Sequence, residues 1–176
     1  MLLRAFAMLS WLAAPARADL GPNLDEFVAA ALTRGLGNPL ISVTDEPWNS
    51  GEYSLTLTRI GHADIRSAGD LIEARVPLRF EFTGQIKRDL LVTELDVRCD
   101  TEFETEGAVF LDFRFREGAP NVVSTIELPI PEADVDCGLL SLPVQGVLEE
   151  LVKRSRPDWE ERLDSAIRQR MERLLE

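Results

Sequence analysis

The sequence predicts an α+β fold: a strongly coiled antiparallel sheet of five to seven strands wrapped on a long C-terminal amphipathic helix, with a short N-terminal helix. Three observations carry this. Apolar residues recur with period two from Ile41 to Ile130, as in half-buried strands. They recur at helical spacing before and after that block, as on amphipathic helices. Between Leu91 and Phe115 most apolar residues carry odd numbers and most charged ones even numbers, so one face of a long β segment is apolar and the other charged.

The chain opens with Arg4, an apolar run from Ala5 to Pro15 and the small-x-small triplet Ala16-Arg17-Ala18. These are the parts of a cleavable export signal. The run is shorter than the roughly 20 residues of a spanning helix. Residues 1–18 are therefore read as a signal peptide cut after Ala18, and residues 19–176 as a single α+β domain with no transmembrane segment. That domain is expected in the bacterial periplasm or secreted.

The short helix comes next. Asn23 and Glu26 form a capping pair, and Leu24, Phe27, Val28, Ala31 and Leu32 form one stripe. Gly35 and Gly37 stop it. Ile41–Thr44 reads as a strand ended by Pro47. Tyr53, Leu55 and Leu57 alternate along the next strand, and the phase breaks at Ile60-Gly61, which suggests a bulge. Ser67-Ala68-Gly69-Asp70 is a turn. Alternation then runs from Ile72 to Phe82 and stops at Gly84.

The odd-parity run is expected to fold as a hairpin about Thr105-Glu106-Gly107, with Gly107 in the left-handed position of a three-residue loop. Phe103 would face Val109, and Cys99 would face Phe113. Val122 to Ile130 is the last strand, confined to an edge or terminus by Pro129 and Pro131. Asp134–Gly138 reads as a loop. Two helices finish the chain, one with Pro143 in its first turn and one restarting at Ser155 and Pro157. The second carries Trp159, Leu163, Ala166, Ile167 and Met171 on one face.

Cys99 and Cys137 are the chain's two cysteines. An even pair in an exported domain is expected as a disulfide; two buried free thiols are the alternative. Their spacing excludes a Cys-x-x-Cys redox site. The net charge is −12, and the leader holds two arginines and no acid, so cleavage deepens it by two. Such a chain repels phosphate backbones, which makes nucleic acid an unfavourable partner.

Catalytic signatures are missing. His62 is the single histidine, and it lies in the phase break with no nucleophile motif around it. Multi-histidine metal sites are excluded, and no phosphate-binding or dinucleotide glycine loop occurs. The acidic row from Glu94 to Glu106 sits on alternate strand positions. That spreads its carboxylates in a line instead of gathering them round a cation. It reads as a solvated face. Neither enzyme activity, a metal nor a cofactor is expected.

The element order is a short helix, long alternating strands and a long terminal amphipathic helix in an exported chain. From Asn23 to Glu176 it resembles one half-barrel unit of the tubular lipid-binding superfamily. A helix-grip fold has a similar order. The resemblance implies a curled sheet around a helix with lipid between them, and a single unit would complete a tube only as a homodimer. The expected function is accordingly a non-enzymatic envelope protein that binds a lipid or other apolar ligand. Its lining would be Leu95, Val97, Phe103, Val109, Leu111, Phe113, Leu163, Ile167 and Met171. The alternative is a structural or protein-interaction module of the envelope with a filled core.

Overall fold

The computed structural model describes residues 21–48, 51–90, 93–116, 119–138 and 141–175. The leader and its cleavage point lie outside the described residues. The fold is α+β, with one antiparallel sheet, curled but not closed, a helix on its N-terminal side and a long C-terminal helix. The sheet has eight strands among the described residues, against the five to seven expected.

Its centre is a ribbon of two very long strands, β4 (Leu71–Leu90) and β5 (Thr93–Arg116), reached after α1 (Gly21–Leu36), β1 (Ile41–Trp48), β2 (Gly51–Arg59) and β3 (Asp64–Ala68). They pair from Leu71↔Asp112 to Leu90↔Thr93. On one side β4 carries β2 along Leu78–Ile86 and β3 along Leu71–Arg75, with β1 outside β2. On the other side β5 carries β6 (Ala119–Glu127) along Ala108–Arg116, and meets β7 (Asp134–Asp136) at Asp100. β8 (Ser141–Pro143) pairs with β7, and α2 (Gln145–Leu175) follows. Three strands were not marked out in the sequence, β3 of five residues and β7 and β8 of three, all too short to show a clear period, while the two arms of the expected hairpin merge into one.

The hairpin expected at Thr105–Gly107 is corrected: β5 passes through it as one strand of 24 residues. A three-residue loop and a continuous strand produce the same odd–even alternation, so parity could not separate them. The true partner is β4, which sets Phe80 against Phe103, Gly84 against Cys99, and Ala74 against Val109. Gly107 serves packing: an added Cβ would stand 3.1 Å from Leu78 Cδ1.

Gly84 likewise does not end its strand. Its missing side chain admits the Trp48 ring, whose Cζ3 would lie 2.8 Å from an added Cβ. Covering a strand glycine with an aromatic ring offsets the weakness it introduces. Trp48 also meets Phe82 edge-on, with ring centroids 5.1 Å apart. Pro47 does not end β1, because β1 is the edge strand of the sheet and tolerates a missing donor. The phase break at Ile60–Ala63 is an insertion between β2 and β3. Arg59 faces Leu78 and Asp64 faces Arg75, so five steps along one side oppose three on β4.

The two expected C-terminal helices are one helix, α2, of 31 residues with Pro157 inside it. At 1.5 Å per residue it spans about 46 Å. Proline removes one helical hydrogen bond. Leu148, Leu151 and Val152 before it and Trp159, Leu163 and Ile167 after it are all buried in the same core, and that packing holds the helix through the gap. Pro143 ends β8 instead of opening the helix. Gly35 lies inside α1, and the helix is left at Gly37, where φ is +73°.

Candidate functional site

Eight of the nine proposed lining residues belong to one apolar core on β5 and α2, but not as a single lining: with β5 unbroken, Val97 and Phe113 stand sixteen residues apart along the strand instead of folding back beside one another. Val109, Leu111, Leu163 and Ile167 are buried, the last three at 0 % exposure. Val97, Phe103, Phe113 and Met171 are half-buried against the same cluster, and Phe103 stacks on Phe80 with centroids 5.0 Å apart. The side chain of Leu95 lies outside the described residues. Trp159 is fully buried, and its Nε1–H donates to Leu40 O at 3.3 Å, tying α2 to the start of β1.

Cys99 and Cys137 form a disulfide, with Cα atoms 4.3 Å apart. It joins β5 to the end of β7, next to the one register pair those strands share, Asp100↔Asp136.

The outer face of the ribbon is charged, as its even-numbered row implied. Asp96, Asp100, Glu102, Glu104 and Glu106 are all exposed. Arg79 pairs with Glu102 at 3.1 Å and Glu104 at 2.8 Å, and Arg75 with Glu73 at 2.8 Å. These contacts hold both guanidiniums protonated, above the ordinary arginine range. Exposed pairs of this sort contribute little stability. They give Glu102, Glu104 and Glu106 of the row a cationic partner on β4. Among the described residues no three metal-ligating side chains converge, and His62 is exposed between β2 and β3.

At the β3–β6 end the same outer face carries two exposed apolar side chains. Leu71 and Val123 are 43 % and 46 % exposed. They flank Asp112 from either side in one cross-strand row. Arg114 hydrogen-bonds Asp112 and lowers its carboxyl below the ordinary range.

Sequence reasoning missed how the edges are closed. The Asn38 amide accepts from Arg59 N–H at 2.9 Å and donates to Arg59 O at 3.4 Å, imitating a neighbouring strand. On β6, Asp164 Oδ1 accepts from Ser124 N–H at 2.8 Å and Glu160 Oε1 from Ile126 N–H at 2.9 Å. The available signal was Glu160 and Asp164 lying one turn apart on the terminal helix. Which strand they would reach was not legible.

The fold therefore defines a class: an α+β domain built on a two-stranded ribbon, with helix carboxylates closing one sheet edge. No family model matches the chain, and no curated protein matches it.

Proposed function

We propose that this chain is a non-enzymatic interaction module of the bacterial cell envelope, acting through its surface with its interior filled. One observation carries the reading. A cavity wide enough for an acyl chain leaves wall atoms that a water molecule can touch, yet Leu111, Leu163 and Ile167 keep no accessible area. The disulfide supports a compartment outside the cytoplasm. Among the described residues no helix is long and apolar enough to cross a membrane. Leu71 and Val123, exposed on either side of the Asp112–Arg114 pair, mark the surface we assign to contact with an envelope protein or a second copy.

Ile167→Trp and Leu111→Trp test the reading. In a filled core each overpacks and destabilises by roughly 1–3 kcal/mol, and the parent binds no fluorescent fatty acid. Saturable fatty-acid binding by the parent, lost in two stably folded Trp variants, overturns it.

A second reading is the apolar-ligand binder that the tubular lipid-binding resemblance implies. It is favoured by the half-buried Val97, Phe103, Phe113 and Met171, which leave apolar area at the margins of the core. Under it the parent binds fatty acid saturably, and Phe113→Asp removes that binding, as do the two Trp variants above, while the protein stays folded.

A further inference from the structure

On the outer face of the sheet, acids and arginines two residues apart close on one another. Asp64 meets Arg66 at 2.7 Å on β3, Glu73 meets Arg75 at 2.8 Å on β4, and Asp112 pairs with Arg114 on β5. Arg98 has an acid two residues to either side, Asp96 and Asp100. Among the described residues it forms an ion pair with neither. Asp96 is taken by the Gln85 amide, which donates to its two oxygens at 2.8 Å and 2.9 Å. Asp100, Glu52 and Asp45 likewise form no ion pair among the described residues.

Strand register brings these groups together. Ser54, Thr83 and Asp100 form one cross-strand row on β2, β4 and β5, and Glu52, Gln85 and Arg98 form the next. Strands about 4.8 Å apart, with about 7 Å between the rows, confine the six positions to a patch roughly 10 Å by 7 Å. A bulge in β1 sets Asp45 beside it. Thr44 and Asp45 together oppose Ser54, and Asp45, at φ +55°, donates its N–H to Ser54 Oγ at 3.3 Å. All seven of these groups, from Asp45 to Asp100, line one open groove of about 340 Å³. The groove therefore holds an unpaired guanidinium, three unpaired carboxylates and the hydroxyls of Ser54 and Thr83.

We propose that this groove binds a free basic amino acid. Arg98 takes the α-carboxylate in a forked contact. Asp100, beside it on β5, takes the α-ammonium, and Glu52 and Asp45 take the side-chain cation. A cation alone would leave Arg98 unanswered, and an anion alone would face three carboxylates. A ligand with one negative and two positive groups answers both. The net charge of −12 draws such a ligand toward the protein. The site is separate from the surface marked by Leu71 and Val123, because Asp100 lies twelve residues along β5 from Asp112.

The test is a calorimetric titration of the whole protein with L-lysine at fixed ionic strength, repeated with two probes that each lack one of its charges. Cadaverine is lysine without the carboxylate, and L-norleucine is lysine without the side-chain ammonium. Saturable binding of lysine is expected, about fivefold or more tighter than that of either probe. Arg98→Gln lowers lysine to the affinity of cadaverine and does not weaken cadaverine itself. Asp100→Asn and Glu52→Gln each weaken lysine by about fivefold or more. Arg66→Gln, which breaks the exposed Arg66–Asp64 pair on β3, leaves it unchanged. Failure of the parent to bind lysine overturns the site. So does cadaverine or norleucine binding as tightly as lysine, because the carboxylate or the side-chain cation then goes unread. Unchanged lysine affinity in folded Arg98→Gln protein overturns it as well. Should a carboxylate variant not fold, Asp45→Asn decides by the same criterion, since asparagine tolerates the left-handed backbone there.

Discussion

Asp164 Oδ1 accepts the backbone N–H of Ser124 at 2.8 Å, so a helix side chain stands where the next strand of the sheet would otherwise add. Open strand edges invite pairing with other chains, and folds block them with charge or a covering element. Here one helix does both. Asp164→Ala leaves a part-buried amide without a partner and should cost about 1–3 kcal/mol. Asp164→Asn keeps a carbonyl acceptor and should cost less. Urea denaturation of both variants checks this. Equal losses for Ala and Asn would mean that the acceptor is not what matters.

Gly35 and Leu163 fix the distance between the two helices. A Cβ at position 35 would stand 2.7 Å from Leu163 Cα, which is backbone and cannot swing aside. Gly35→Ala would gain roughly 1 kcal/mol of helix propensity on an isolated helix. The clash should reverse the sign and leave a net loss of about 1–3 kcal/mol. A thermal melt showing an unchanged or raised Tm would count against close packing at this point.

The disulfide holds a small element onto a large one. β7 has three residues and shares one register pair with β5. The backbone link is therefore slight, and the Cys99–Cys137 bond carries the attachment. Removing both sulfurs as Cys99→Ala/Cys137→Ala should destabilise by roughly 2–5 kcal/mol. Intact mass after alkylation without reductant, on protein exported to the periplasm, should show no added label. Two labelled thiols would refute the bond.

Tyr53 is the only tyrosine in the chain, so its titration can be followed by absorbance without overlap. Burial raises its pKa above 10.0, and the nearby Glu46 carboxylate adds to the rise against Arg154. Its ring stacks on Phe82 with centroids 5.5 Å apart. The raised pKa favours the neutral phenol in the folded state. Its contribution is complete below the unfolded value near 10.0 and is lost as pH rises through the folded value. Stability should therefore fall above pH 10 in the parent, and less so in Tyr53→Phe. Identical alkaline slopes for the two proteins, measured by urea denaturation across that range, would contradict the assignment.

Parity was the most legible feature of the chain. Inward and outward faces of β4 and β5 follow from alternation alone, and Leu111, Phe80 and Phe82 lie inside as their numbers require. The charged outer row was readable for the same reason, since a pleated strand sends successive side chains to opposite faces. Turns were not. Gly84 and Gly107 look like strand ends and are contact points for Trp48 and Leu78. Glycine marks a missing side chain, and only the neighbour reveals whether that lack serves a bend or a close approach.

The sequence by itself determined the class of fold, the face each strand residue takes, the cysteine pair and the apolar stripes of both helices, because these depend on local periodicity and on counting. The tertiary structure alone decided that β5 runs unbroken and that α2 continues through Pro157. It also decided that Glu160 and Asp164 reach the β6 edge and that Asp45, Glu52, Arg98 and Asp100 share a groove. Each of these depends on which element lies opposite, and partners far apart in the chain leave no mark on the period of either one.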